Sequence, residues 1–222
     1  EPEIAINITV CTNGKNRLDD VLHHYREKIS VEEIQLENPR FLALRARDRL
    51  IKRESKADYL IYMEDDLVIH DGLYIDKIDW FYKKTNNAIC LMPHRYELVN
   101  NNELGRTLID GELRGSFIQQ FYAPSINAAQ GNFRGREPVQ FDIPTNPHSG
   151  SFILSNQQAE LIANKELPDE GFVGPLETAA TLTAMKFFPL MKTAYPCRDF
   201  FCIEHGHPSF RHYTKVLPHN DL

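Results

Sequence analysis

The stretch Ala57–Asp66 reads ADYLIYMEDD and joins an apolar run to three consecutive carboxylates. Its apolar part, residues 59–63, is typical of a strand buried in the middle of a sheet. In open α/β sheets, ligands bind outside the carboxyl ends of the strands. Adjacent acids repel one another and stay ionised only beside a cation or strong hydrogen-bond donors. The stretch therefore predicts a central strand that ends in a candidate metal site, although a solvated acidic turn would have the same sequence.

Strand and helix patterns alternate on either side of this stretch. The predicted strands are 4–11, 31–36, 58–63, 87–92 and 151–154, and the predicted helices are 17–28, 39–56, 72–84, 155–164 and 176–188. This alternation predicts an α/β fold with a mostly parallel central sheet flanked by helices. Asn, Gly and Gln are frequent from 99 to 147, where we expect antiparallel edge strands or a long loop.

Composition excludes several classes of protein. The chain has 222 residues and a net charge of −6, which suits one domain without the basic face that usually holds nucleic acid. No apolar run approaches the ~20 residues that span a bilayer. Four cysteines are too few for a disulfide scaffold, so we expect thiols and a cytoplasmic location, although a Cys197–Cys202 disulfide would fit an exported protein. The basic helix at 40–56 is either a solvated face or a peripheral contact with acidic lipid or a partner subunit.

The C-terminal histidines are candidate metal ligands. His205 and His207 flank Gly206, which allows the backbone to turn tightly between them. One imidazole could therefore reach a metal ion, and either residue could equally be an ordinary core or surface histidine.

Glu177 is a candidate general base. It lies in the first turn of a predicted helix that follows the segment Gly171–Pro175, and the helix dipole favours an acid there. A base must lie within hydrogen-bond reach of the hydroxyl proton that it accepts. Asp169 and Glu170, just upstream, compete for the same role.

Taken in order, these motifs resemble those of nucleotide-sugar glycosyltransferases of the GT-A fold, close in pattern to the large family 2 enzymes. The matching segments are Thr9–Asn13 with Asn16 and Arg17, Ala46–Asp48, Ala57–Asp66, His148–Phe152, the helix start at Glu177, and the C-terminal histidines. The metal motif here reads Glu-Asp-Asp, and Val173-Gly174 stands where the family has Trp-Gly.

The resemblance implies a single Rossmann-like GT-A domain over residues 1–222. Residues 1–98 would bind the nucleotide-sugar, and residues 99–222 would form the acceptor side with a smaller antiparallel element. Asp66 with His205 or His207 would bind Mn²⁺ or Mg²⁺. The implied donor-binding residues are Thr12, Asn13, Asn16, Arg17, Arg47, Glu64 and Asp65, and Glu177 would be catalytic.

The predicted function is metal-dependent transfer of a sugar from a nucleotide-diphosphate donor, with a UDP-sugar expected, to a saccharide hydroxyl. We expect inversion of the configuration at the anomeric carbon, and retention of that configuration is the open alternative. Arg47, Lys15 or Arg211 would assist the leaving group, and Phe121, Tyr122 and Phe133 would stack on acceptor sugars. The alternatives are a metal-dependent phosphohydrolase and a non-catalytic carbohydrate-binding module of the same fold.

Overall fold

The computed structural model describes residues 4–15, 17–53, 55–99 and 102–207. The strands are β1 (Ile8–Thr12), β2 (Ile29–Glu33), β3 (Tyr59–Met63), β4 (Leu67–Val68), β5 (Cys90–Leu91), β6 (His94–Val99), β7 (Asn102–Leu108), β8 (Ser125–Asn132), β9 (Pro138–Ile143), β10 (Ser151–Ser155), β11 (Leu190–Thr193) and β12 (Cys202–His205). The helices are α1 (Asp19–His24), α2 (Leu42–Lys52), α3 (Tyr74–Lys84), α4 (Gly115–Ile118), α5 (Asn156–Ile162), α6 (Pro175–Glu177) and α7 (Thr183–Met185). A π-helical turn, Thr178–Leu182, joins α6 to α7.

The predicted central strand is confirmed as β3, and it lies between two apolar clusters. It pairs antiparallel with β10, with Tyr59 opposite Ser155 and Met63 opposite Ser151. Every residue of β10 is buried. Because side chains alternate along a strand, Phe152 and Leu154 enter the cluster beside α2 and α5, while Ile153 enters the cluster beneath α3.

The α/β class is confirmed, but the described residues contain no sheet dominated by parallel strands. The pairs β1–β2, β5–β11 and β6–β12 are parallel, and the other five pairings in the described part are antiparallel. The prediction assumed that the strands of the first ninety residues pair with one another. Instead β3 pairs antiparallel with β10, and β5 pairs with β11. After residue 93 the chain forms the hairpins β6–β7 and β8–β9, and strands joined directly pair antiparallel. The GT-A fold therefore remains a prediction from the resemblance.

The observed helices agree with the predicted ones in their central residues and differ from them at their ends. In α3, the predicted apolar face is buried, with Ile78 and Tyr82 fully enclosed. Ser155 and Gln158 form the predicted capping box at the start of α5. The single helix predicted over 176–188 is instead α6, the π-helical turn and α7. The helix predicted over 17–28 is only α1, which has no buried residue.

The segment from 99 to 147 contains the antiparallel strands that its composition indicated, with the short helix α4 between β7 and β8. Its strands β8 and β9 extend the sheet that contains β11 and β5. None of the helices in the described part is both long and apolar enough to cross a membrane. All four cysteines are free thiols, so the alternative of a Cys197–Cys202 disulfide is not observed.

Candidate functional site

The acidic turn, residues 64–66, connects β3 to β4 and is held by two distant segments. The Glu64 N–H donates to the Gly150 carbonyl over 3.0 Å, and the Gly206 N–H donates to the Asp66 carbonyl over 2.6 Å. A Cβ on Gly150 would come within 2.8 Å of Glu64 Oε2, and the φ of Gly150 is +60°. Only glycine adopts that conformation without cost and allows this close approach. The three carboxylates are therefore fixed at the end of β3.

His205 lies between two carboxylates. Its Nε2 is 3.1 Å from Asp66 Oδ2, and its Nδ1 is 2.9 Å from Glu97 Oε1. His205 is 5% exposed and Glu97 is fully buried. The contact arises because β12 runs parallel to β6, with Glu204 opposite Tyr96. A carboxylate that holds one ring nitrogen orients the other, as is common around metal-ligating histidines.

Of the two predicted histidine ligands, the structure brings His205 to Asp66. His207 is exposed and follows Gly206, which lies outside the strand. The two histidines thus have different environments, although their sequence context is nearly the same.

The Glu64 carboxyl is half-buried, and burial raises its pKa to about 7. The positive charge of Arg95 opposes this rise, while the negative charges of Asp66, Glu177 and Asp110 add to it. Glu64 Oε1 and Asp66 Oδ1 are buried and have no hydrogen-bond partner in the part of the chain that the structure describes. Buried polar atoms are normally satisfied, so these two oxygens mark a place where a cation or a donor group would bind.

The donor set fits a hard divalent cation. Carboxylate oxygens with water or phosphate oxygens are what Mg²⁺ prefers, and imidazole is compatible with Mn²⁺. Within the described ranges, however, no group of three or more His, Cys, Asp and Glu side chains is arranged to hold a metal ion by itself. A cation here would therefore take its remaining ligands from water or from a bound substrate.

Of the three candidate bases, Glu177 acts electrostatically on the acidic turn. Its negative charge adds to the rise in the pKa of Glu64. Asp169 forms an ion pair with Arg47 over 3.0 Å, and Glu170 is exposed. The loop before Glu177 contains Val173 with a φ of +55°, a conformation that is rare for a β-branched residue and often found near functional sites.

A buried ionic cluster near the acidic turn was not predicted from the sequence. Arg95 from β6 contacts Asp110 over 2.7 Å, and the Lys192 ammonium from β11 contacts the same carboxylate over 3.3 Å. These two cations hold the pKa of Asp110 far below its ordinary range, against the opposing effect of its burial. The available signal was a lysine within the buried strand pattern of β11, since lysine is almost never fully buried unless it is paired.

This cluster is connected to the turn that follows Glu177. Lys192 Nζ donates to the His148 carbonyl over 2.5 Å, and His148 Nδ1 lies 2.8 Å from Thr181 Oγ1 in the π-helical turn. Burial lowers the pKa of His148 to about 3, so its imidazole is neutral. Residues 148–150 therefore contact the acidic turn, the buried cluster and the segment that carries Glu177.

The donor-binding residues predicted from the first loop make local contacts. Thr12 Oγ1 accepts the Gly14 N–H and Asn13 Oδ1 accepts the Lys15 N–H. Arg17 is exposed and pairs with acidic side chains of the same surface. Asn16, predicted to bind the nucleotide-sugar, and Arg211, predicted to assist the leaving group, lie outside the described residues.

Arg47 is not available to bind a nucleotide-sugar in this structure. It is fully buried, and its guanidinium donates to the Asp48 and Asp169 carboxylates, the Pro168 carbonyl and the Thr183 hydroxyl. These bonds use all five of its N–H groups. We therefore interpret Arg47 as a bridge between α2 and the segment before α6.

The aromatic residues predicted to contact acceptor sugars do not form one wall. Phe121 packs against Phe172 in the cluster beside α2, and the Tyr122 hydroxyl donates to the Pro144 carbonyl. Phe133 is only 5% exposed and contacts Trp80 elsewhere.

Comparison of the chain with protein-family models, with curated proteins and with solved structures found no match. The functional assignment therefore rests on the geometry of the site and on the resemblance of its motifs.

Proposed function

We propose that the chain is a metal-dependent glycosyltransferase of the GT-A fold. It would move a sugar from a nucleotide-diphosphate donor, with a UDP-sugar expected, to a hydroxyl of a saccharide. The observation that carries the proposal is the pair of buried oxygens on Glu64 and Asp66 that have no partner among the described residues, with His205 beside Asp66. The charge of Glu177 also acts on Glu64.

Asp66 and His205 would hold the cation, and Glu97 would keep the imidazole in the required orientation. When bound, Mn²⁺ or Mg²⁺ would neutralise charge on the diphosphate as it becomes the leaving group. Without a cation, the carboxylates of the turn would repel a diphosphate. Donor binding should therefore depend on the metal, which agrees with a site that has too few protein ligands to hold the ion tightly.

Glu64 and Asp65 would orient the ribose or the water molecules of the site. Glu177 would accept the proton of the acceptor hydroxyl while the hydroxyl oxygen attacks the anomeric carbon of the donor. The bond between that carbon and the diphosphate would break at the same time, which leads to inversion. Glu177 is half-buried in the first turn of α6, and this partial exposure would allow contact with an incoming acceptor.

The test is thermal unfolding with UDP, ADP, GDP or CDP, each in the presence of Mn²⁺ or of EDTA. A ligand that binds only the folded state adds about 3 kcal/mol of stability at a hundredfold excess over its Kd. We expect at least one nucleotide to raise the midpoint with Mn²⁺ and not with EDTA. If no nucleotide does so, the proposal is wrong.

Two matched variants separate binding from chemistry. Asp66→Asn should abolish the metal-dependent shift, whereas Glu177→Gln should retain the shift and lose transfer from the corresponding nucleotide-sugar. Release of phosphate from a simple phosphoester with Mn²⁺ would favour the phosphohydrolase. Sugar binding with no turnover of any nucleotide-sugar would favour the non-catalytic module.

A further inference from the structure

The structure contains a cleft that shares no residue with the candidate active site. It is a cleft of about 490 Å³, within the usual range of ligand pockets. Its walls come from the start of α3, from the β8–β9 hairpin and from the 3₁₀ helix Tyr195–Phe200, which precedes β12. The lining residues are Leu73, Lys77, Phe133, Arg136, Glu137, Val139 and Phe200.

The apolar part of the cleft is an aromatic wall backed by Trp80. Phe133 and Phe200 meet edge to face with their ring centroids 5.5 Å apart, and each ring contacts the indole of Trp80, at 5.6 and 5.8 Å. Trp80 lies on the same face of α3 as Leu73 and Lys77, because residues spaced by three or four lie on one side of a helix. Trp80 is also the only tryptophan of the chain.

Two hydrogen-bond donor groups near this wall have no partner among the described residues. The Trp80 indole N–H is buried and has no acceptor among the described residues. The Arg136 guanidinium is exposed and forms no ion pair within that part of the chain. Glu137 is the one acidic side chain of the lining, and it is exposed beside Arg136.

The other cations near the cleft are already neutralised. The Lys77 ammonium lies 2.6 Å from the Asp71 carboxylate and 4.5 Å from the centre of the Phe200 ring. Arg134, at the tip of the hairpin, pairs with Asp76 over 3.0 Å. Arg136 is therefore the cation of this surface that remains available to a ligand.

From this arrangement we infer that the cleft binds an amphipathic anion, a molecule with an apolar body and one carboxylate or phosphate group. The body would lie against Phe133, Phe200 and Val139, and the anionic group would accept hydrogen bonds from Arg136. Charge-assisted hydrogen bonds to an arginine fork are stronger than neutral ones. A neutral saccharide is the competing ligand, since it would use both Arg136 as a donor and Glu137 as an acceptor.

The test measures the fluorescence of Trp80 in the full chain. Decanoate and phenylacetate are titrated as aliphatic and aromatic anions, with 1-decanol as a neutral probe of the same chain length as decanoate. We expect a saturable change with at least one anion and a Kd roughly tenfold weaker for decanol than for decanoate, in line with one lost charged hydrogen bond. Comparison of decanoate with phenylacetate shows whether the body is aliphatic or aromatic.

Two exposed neighbours give variants with opposite expected effects. Arg136→Gln should weaken binding of the anion about tenfold, and Glu137→Gln should strengthen it, because a repelling charge is removed. Neither side chain is buried, so the thermal midpoint of both variants should match that of the parent. Glu177→Gln should bind the anion unchanged, which separates this site from the proposed active site.

Three results would overturn the inference. They are the lack of a saturable change with either anion, equal binding of decanol and decanoate, and weaker binding after both Arg136→Gln and Glu137→Gln.

Discussion

Replacing Glu64 by Gln should stabilise the metal-free protein, and more at high pH than at low pH. The folded structure raises the pKa of Glu64 from 4.5 to about 7. Between those values the unfolded chain has already released its proton and the folded chain has not, so stability falls as the pH rises through this window. The penalty reaches about 3 kcal/mol near pH 8 and is about 1 kcal/mol near pH 5. Gln carries no charge at either pH.

Urea unfolding in EDTA at the two pH values measures this difference. Glu64→Gln should add about 2 kcal/mol more stability near pH 8 than near pH 5. In thermal unfolding, the same difference corresponds to roughly 5 °C in a chain of this length. Asp65→Asn is the matched control because Asp65 is exposed in the same turn. We expect its effect to stay within about 0.5 kcal/mol at both values.

A gain that is the same at both pH values, or a loss at both, would refute the reasoning, because the cost would then not come from ionising a buried carboxyl. Added Mn²⁺ gives a second comparison. It should stabilise the parent near pH 8 more than it stabilises Glu64→Gln, since the cation would relieve a repulsion that only the parent contains.

Three further substitutions test the surroundings of the site. Asp110→Asn removes the counter-ion of two buried cations and should lower the free energy of unfolding, measured in urea, by about 3–5 kcal/mol. The control is Asp58→Asn on the surface, which should change it by less than about 0.5 kcal/mol. Gly150→Ala should cost at least about 1–2 kcal/mol because of its left-handed backbone, and should also displace Glu64 and so reduce the pH response described above. Burial lowers the pKa of His94 to about 4, so up to about 3 kcal/mol of stability is lost as the pH falls from about 6.5 to about 4. His94→Gln should remove this part of the pH dependence of the free energy of unfolding. An unchanged pH dependence would show that His94 is not its source.

The buried cluster also explains why the acidic turn tolerates so many carboxylates. Arg95 offsets part of the charge of Glu64 from below, while Asp110 keeps the two neighbouring cations paired. Breaking a buried pair leaves an uncompensated charge, so each member constrains the others. The site is therefore supported by Arg95 from β6 and Lys192 from β11, which lie outside the motifs recognised in the sequence, and by the segment before β10, which belongs to the motif His148–Phe152.

Segments with a strong local pattern were predicted well. The apolar run of β3 and the acids after it, the buried face of α3, and the capping box of α5 follow from periodicity and from hydrogen bonds between near neighbours. Predictions failed where chain connections mattered. The run of strand and helix patterns in the first ninety residues did not show that β3 pairs antiparallel with β10, and so the parallel sheet was overestimated.

For the site, the sequence by itself determined which residue types were available: three acids after β3, two histidines near the end and an acid at a helix start. Only the tertiary structure decided among them. It brings His205 to Asp66, because β12 runs beside β6 and meets Glu97, and it engages Arg47 with Asp169. The charge of Glu177 acts on the pKa of Glu64. The reason is physical: local preferences depend on neighbours within one turn or one strand, whereas contacts such as that between His205 and Glu97, 108 positions apart, depend on how whole strands align.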